Sequence, residues 1–174
     1  MRKISTLSLS FLLLAGIAMA QEAKKPLSPP AKTEATINGK KVSIDYSAPS
    51  KRGRAIMGEL VPYGKVWRTG ANAATTLKTE GDLMIGSVHV PAGTYTLYTI
   101  PGEKEWTLIV SKETGQWGSN YDESKDLGRT KMAVKALSAP VETFAISLPS
   151  AGQNQNTLTL KWENVEATAR VLAH

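Results

Sequence analysis

The chain has 174 residues, no cysteine and a formal net charge of +6 at pH 7. The absence of cysteine excludes disulfides, thiolate nucleophiles and cysteine-based metal sites. The basic excess falls within residues 21–70, where it could meet an anionic glycan, a membrane surface or nucleic acid. No aromatic residue interleaves with Lys24, Lys25 or Lys32, so we expect a solvated flank and no nucleic-acid partner.

The first twenty residues have the layout of a secretory signal peptide. Arg2 and Lys3 precede an apolar stretch over residues 7–17, and Ala18-Met19-Ala20 forms a small-residue cleavage site. A membrane anchor needs about 20 unbroken apolar residues, and this stretch is shorter. We therefore expect a signal peptide over residues 1–20. The mature protein should carry no transmembrane segment and be periplasmic or extracellular.

After the leader, residues 21–32 are rich in proline and lysine and lack an apolar period. This composition predicts a flexible tether, followed by a single domain over residues 33–174 that is long enough to bury a sizeable core. The domain opens with a hairpin, because two alternating segments flank Asn38-Gly39, and both turn residues tolerate positive φ.

Alternation of apolar and polar residues with a period of two recurs along the rest of the chain. It predicts strands over residues 105–110, 143–148, 157–162 and 165–171, with shorter ones near 74–80, 83–90, 94–100 and 129–135. No long amphipathic helix is predicted, and residues 54–61 or 121–127 could hold one or two helical turns. Nine or ten short strands with one buried face predict an all-β fold, a single antiparallel β-sandwich of jelly-roll-like shape.

Four sequence blocks occur in a specific order, namely GRAIMGELVPYGKVWRTGAN, VPAGTYTLYTIPG, EWTLIVS and QWGSNYDESKD. Together they resemble the DUF2911 family of exported bacterial proteins, over nearly the whole mature chain. The resemblance implies an all-β domain behind a signal peptide, and it implies no activity because the family has no assigned function. The family usually carries an acidic residue after the Asn of the first block, whereas this chain has Ala73.

The residue types disfavour catalysis and metal binding. The only histidines are His89 and His174, no G-x-S-x-G pentad occurs, and His89 should lie on the face opposite its two valine neighbours. Asp122, Glu123 and Asp126 could hold calcium, but their spacing does not match an EF-hand. A glycosidase would need two carboxylates that face each other across a cleft. The candidates for such a pair are Glu59, Asp122, Glu123 and Asp126. We expect no metal, no cofactor and no catalytic residues.

The segment YGKVWRTGANAATTL has two interpretations. Trp67 offers a large apolar area, Arg68 a planar set of donors, and Gly70 a tight turn, with Asn72 able to bond nearby backbone. In the first interpretation the block is a structural plug, with Arg68 tying loops to carbonyls. In the second it forms one wall of a ligand pocket.

The pocket interpretation needs a second loop, and residues 116–126 supply aromatic and polar groups. One of Tyr95 and Tyr98 must point away from the core, and Arg52 and Arg54 could add cations. Such groups suit a polar small molecule or a carbohydrate. The candidate ligand-binding residues are Arg54, Trp67, Arg68, Asn72, Tyr98, Trp117, Tyr121 and Asp122. The alternatives are a structural or interaction protein that docks on a protein or glycan of the cell envelope, and an enzyme of unrecognised type.

Overall fold

A computed structural model describes residues 26–173, so the predicted signal peptide lies outside the described residues. Within this range the fold is all-β, with ten strands and one 3₁₀ turn at Glu123–Lys125. The strands are β1 Pro30–Ile37, β2 Lys40–Ser47, β3 Thr75–Thr79, β4 Leu83–Ile85, β5 Val88–Val90, β6 Gly93–Ile100, β7 Glu105–Ser111, β8 Asp126–Ser147, β9 Ser150–Gly152 and β10 Gln155–Ala173. No helix in this part of the chain is long and apolar enough to cross a membrane.

All strand pairs are antiparallel and belong to one open sheet with the order β1-β2-β3-β6-β7-β8-β10-β4-β5, while β9 pairs with β10. The sheet folds over itself, because side chains of β2, β3 and β6 meet those of β4 and β10 across a small interior void of about 10 Å³. The residues around that void are Val42, Ile44, Leu77, Leu83, Ile85, Leu97, Leu148, Leu158 and Val171. The predicted antiparallel sandwich is therefore confirmed, with its core between the two halves of one sheet.

The first hairpin has the predicted turn. Asn38 and Gly39 have φ values of 48° and 73°, and Ile37 pairs with Lys40 on either side of them. β1 begins at Pro30, three residues before residue 33, where the sequence predicts the domain to start. β1 is an edge strand, where a proline at the first position leaves no ladder hydrogen bond unmade.

Several predicted short strands are parts of longer ones. The predicted segments 129–135 and 143–148 belong largely to β8, and the segments 157–162 and 165–171 both belong to β10. The pairing of these two strands changes register around Glu163, whose φ of 53° marks a bulge. The apolar alternation lapses at the bend, and that lapse made one bent strand resemble two short ones.

Residues 83–90 were predicted to form one strand, but they form two. They divide into β4 and β5 around Gly86, which has a φ of 56°. Of the two segments that could hold a helical turn, 121–127 contains the 3₁₀ turn and 54–61 contains none. His89 is exposed between two buried valines, also as expected.

An aromatic cluster closes one region of the core. The ring of Trp67 stacks on Trp162 of β10 at 5.7 Å and lies edge-on to Phe144 of β8 at 5.0 Å and Trp106 of β7 at 6.2 Å. The backbone of Trp67 also pairs with Thr99 of β6 through hydrogen bonds of 2.7 and 2.9 Å. Trp67 therefore binds the segment before β3 to both halves of the sheet.

We predict that Trp67→Ala lowers the free energy of unfolding by about 3 kcal/mol, since three aromatic neighbours lose their packing partner. Trp117 provides a matched control because its side chain is 54% exposed, and Trp117→Ala should change stability by no more than about 0.5 kcal/mol. Urea denaturation of both variants measures the two values. Equal losses in the two variants would contradict the role given to the cluster.

Candidate functional site

The corner between Trp67 and Asn72 has an unusual backbone. Thr69 is fully buried with a φ of 52°, a left-handed conformation that is rare for a β-branched residue and costs about 1–3 kcal/mol. It is held by hydrogen bonds from Thr75 Oγ1 to its carbonyl at 2.8 Å and between its hydroxyl and that of Thr99 at 3.1 Å. Gly70 has a φ of 153°, and an added Cβ would lie 3.0 Å from Thr75 Oγ1. The corner is thus shaped by buried threonines and a required glycine.

The loop over residues 116–121 packs directly on this corner. Gly118 N donates to Asn72 O at 3.0 Å, Ala74 N donates to Gln116 O at 3.3 Å, and Ala73 forms an isolated bridge with Trp117. An added Cβ at Gly118 would lie 2.7 Å from Asn72 O and 2.8 Å from the Cδ of Arg68. The absence of a side chain at Gly118 therefore permits the close approach of the two loops.

Beside this junction lies a groove of about 690 Å³, which we call the corner groove. Its walls come from the segment before β1, from residues 49–72, from the 116–121 loop and from β6 and β10. It is lined by Leu27, Ser28, Pro49, Arg52, Arg54, Leu60, Val61, Pro62, Lys65, Val66, Trp67, Arg68, Gly70, Ala71, Asn72, Tyr98, Gly118, Ser119, Tyr121 and Trp162.

Six of the eight candidate residues line this groove, and two do not. The six are Arg54, Trp67, Arg68, Asn72, Tyr98 and Tyr121. Trp117 lies outside it with an exposed ring. Asp122 caps the 3₁₀ turn by accepting a hydrogen bond from Ser124 N at 2.9 Å, and its hydrogen bonds with Ser124 hold the pKa of the carboxyl below its ordinary value. In this part of the chain, Gly118 and Ser119 line the groove instead of the predicted Trp117 and Asp122.

Tyr98 is positioned as support rather than as a free ligand-binding group. Its side chain is buried, and its hydroxyl donates to Asn120 O at 2.7 Å and accepts from Gln116 Nε2 at 3.0 Å. The predicted division of the two tyrosines holds, because Tyr95 packs in the core cluster while Tyr98 contacts the ring of Tyr121 at 4.9 Å. Tyr98 therefore anchors the 116–121 loop over the outer face of β6.

Tyr121 is fixed by a charged network behind the groove. Its hydroxyl lies 2.9 Å from Asp126 Oδ2 and accepts from Arg129 Nη2 at 2.7 Å, and Arg129 also binds Asp126 and Glu123. Burial, followed by the hydrogen bond and charge of Asp126, raises the pKa of Tyr121 to about 12. The phenol therefore stays protonated at neutral pH.

The acidic loop that could have held calcium is engaged with Arg129, and the residues 26–173 contain no group of three metal-ligating side chains.

The groove carries four cations, namely Arg52, Arg54, Lys65 and Arg68, and no carboxylate lines it. Arg54 is held in place by hydrogen bonds to Ser50 O at 2.7 Å and Lys51 O at 2.9 Å. Arg68 makes neither a hydrogen bond nor an ion pair with a residue in the described range, so the loop-tying bonds expected of a structural plug are not made. The block has two roles: Trp67 packs with the core aromatics, and the guanidinium of Arg68 stays available.

The wall formed by residues 49–57 is attached to the sheet by the bulge in β10. Glu163 accepts from Met57 N at 3.0 Å and Ile56 N at 3.3 Å, and it pairs with Lys51 at 3.2 Å. Burial raises the pKa of this carboxyl, but the hydrogen bonds from Met57, Lys51 and Ile56 outweigh it and leave the pKa below 4.5. The charged form of Glu163 thus stabilises the segment that presents Arg52 and Arg54.

Some groove residues had not been found from the sequence. Lys65 and Ser119 lack a distinctive local pattern, and Trp162 is about 95 positions away from Trp67 in the chain. Gly118 follows a tryptophan in the QWGSN block, and a glycine next to an aromatic is a weak signal of close backbone approach. Contact between distant segments, rather than any motif, brings these residues together.

The family described as "Protein of unknown function (DUF2911)" matches residues 28–171. The chain therefore belongs to this family, as its four sequence blocks had indicated. Comparison with curated proteins gives no significant match, and comparison with solved structures gives none either.

We predict that Glu163→Gln lowers the free energy of unfolding at pH 7 by about 1–3 kcal/mol, because a neutral amide is a poorer acceptor for two backbone N–H groups and Lys51. A carboxyl whose folded-state pKa lies below its unfolded value stabilises the fold above the unfolded pKa and loses this effect as pH falls through the folded one. The difference between wild type and variant should therefore shrink below pH 4.5. Urea midpoints between pH 3 and pH 7 measure it, and a constant difference would contradict the role of the charge.

Proposed function

We propose that the protein is an exported, non-catalytic binding module that takes a polar small molecule or a carbohydrate into the corner groove. One observation carries this proposal: two loops distant in sequence meet and leave a groove of about 690 Å³ that Trp67 and Arg68 line together. Natural small-molecule sites have volumes of about 300–1,000 Å³. The groove is of suitable size for a ligand such as a monosaccharide or disaccharide.

The lining groups favour binding over chemistry. Trp67 and Tyr121 provide aromatic surface, and Arg68 and Asn72 provide hydrogen-bonding groups, which is the combination that orients a polar ligand on an apolar floor. No Asp, Glu or His lines the groove, although these are the most frequent general acids and bases. The buried Thr69 and the close contact at Gly118 support a groove that is formed before ligand arrives, which lowers the entropic cost of binding.

A second candidate is an interaction protein that docks on a partner in the cell envelope. The exposed ring of Trp117, beside the groove rather than in it, favours this alternative, since exposed tryptophan is enriched at protein interfaces. The two candidates differ in which substitution matters. Trp117→Ala should abolish docking and spare ligand binding, whereas Arg68→Gln should do the reverse.

We predict that Arg68→Gln leaves the stability of the free protein within about 0.5 kcal/mol of wild type, because the guanidinium has no partner among the described residues. A thermal-shift screen of sugars, sugar acids and anionic metabolites tests binding. A ligand at 100 times its Kd adds about 2.7 kcal/mol of stability. A chain of this size should then melt about 5 °C higher or more.

Arg170→Gln is the matched control, because Arg170 is exposed and lies outside the groove. The ligand-induced shift should fall in Arg68→Gln and persist in Arg170→Gln. If Arg68→Gln instead destabilises the free protein by several kcal/mol, Arg68 is structural and the pocket interpretation fails. If no compound of the screen shifts the melting temperature, the proposed function is wrong.

The predicted signal peptide over residues 1–20 supports the proposal that the protein is exported. We predict that the protein recovered from the cell envelope or the medium begins at Gln21, because Ala18-Met19-Ala20 is the cleavage site. Intact-mass measurement of the recovered protein checks the terminus. Protein that is found only in the cytoplasm with residues 1–20 retained would contradict export.

A further inference from the structure

We propose that the ligand of the corner groove is an organic anion with an apolar group attached, its charged end a carboxylate or a phosphate. This inference rests on the proposed function and adds the chemical class of the ligand. Its two parts come from two independent features of the groove: the sign of its charge and the position of its exposed apolar side chains.

The charge of the groove has one sign. Arg52, Arg54, Lys65 and Arg68 line it without any carboxylate, and none of the four makes an ion pair with another described residue. The nearby Glu142 accepts from the backbone N of Arg52 at 2.8 Å and does not line the groove. An anion that enters would meet positive charge that no carboxylate of the groove lining compensates.

Three of the four cations are arginines, although only five arginines occur in the described range. The planar guanidinium donates two parallel hydrogen bonds to a carboxylate or phosphate, which makes arginine the usual residue for such ligands. Arg54 is already oriented by two backbone carbonyls, and the Cδ of Arg68 packs beside Gly118. Less side-chain entropy is therefore lost when these arginines engage an anion.

The apolar part of the ligand follows from exposed aliphatic residues in the same groove. Leu27 is 70% exposed, Leu60 49% and Val66 38%, and all three line the groove. They are three of the five large hydrophobic residues that are exposed in the described part of the chain. Because exposed apolar side chains gathered in one concavity mark binding surfaces, a ligand that covers them gains burial energy as well as ion pairing.

A second groove shows that this combination is not general to the surface. It has a volume of about 600 Å³ over β1, β2 and β3, and it contains both signs of charge, with Glu34 and Glu80 beside Lys41 and Lys78. None of the five exposed large hydrophobic residues lines it. A groove of similar size thus lacks both features on which the inference depends.

Four probes separate the two parts of the inference. They are octyl glucuronide, octyl glucoside, glucuronate and glucose, each measured by calorimetry on the mature protein below the micelle concentration of the octyl compounds. Octyl glucuronide should bind at least about tenfold more tightly than octyl glucoside, because charge-assisted hydrogen bonds to arginine are stronger than neutral ones. It should also bind more tightly than glucuronate, which lacks the apolar group. Octyl phosphate replaces the glucuronide in a parallel arm and distinguishes a phosphate from a carboxylate as the preferred charged end.

The outcomes distinguish failure of this inference from failure of the proposed function. If octyl glucoside or glucose binds as tightly as octyl glucuronide, a groove ligand exists but its charge is irrelevant, and the inference is overturned while the proposed function stands. If none of the five compounds binds, both are overturned. Arg68→Gln should weaken octyl glucuronide about tenfold or more and weaken octyl glucoside much less, and Arg170→Gln should change neither.

Salt provides a second readout that a merely structural change would not move. Raising sodium chloride from 0.05 to 0.5 M should weaken binding of octyl glucuronide and leave that of octyl glucoside nearly unchanged, since screening acts on the ionic contact alone. Affinity for the anion that does not depend on salt, or that survives Arg68→Gln, would show that the cations of the groove do not hold the charged end.

Discussion

The structure depends on the packing of Trp67 between the two halves of the sheet. Its ring stacks on Trp162 and meets Phe144 and Trp106, while its backbone pairs with β6. Because the chain has no cysteine, apolar packing of this kind has to hold the loops that a disulfide would otherwise tie down. With Trp67 fixed in the core, the next residue, Arg68, emerges at a defined place on the rim of the groove.

Side-chain contacts between distant segments also hold the elements around the groove. Glu163 lies at a bulge in β10, and its carboxylate accepts hydrogen bonds from the backbone of residues 56 and 57. Tyr98 lies on the face of β6 opposite the core, and its hydroxyl donates a hydrogen bond to Asn120 O in the 116–121 loop. These supports are separate from the cations of the rim, where Arg54 is oriented by backbone carbonyls and Arg68 makes no hydrogen bond or ion pair with a described residue. This separation of support from contact is what a preformed site requires.

Family membership and groove chemistry inform different questions. Membership in DUF2911 establishes which proteins this chain is related to and assigns no activity. Ala73, which follows Asn72, lies at the junction with Trp117 rather than in the groove.

The sequence by itself determined the all-β class, the Asn38-Gly39 hairpin, the face of His89 and the family, because each depends on local alternation, turn chemistry or an ordered set of blocks. It also selected six residues that line the groove. Only the tertiary structure decided that β8 and β10 are continuous through their bends, that Gly118 rather than Trp117 faces the groove, and that Trp162 completes it. Alternation reports which side of a strand is buried, but it carries no information about which distant segment covers that side. Neighbours that lie far away in the chain likewise determine that Trp67 packs in the core and that Arg68 lies at the rim of the groove.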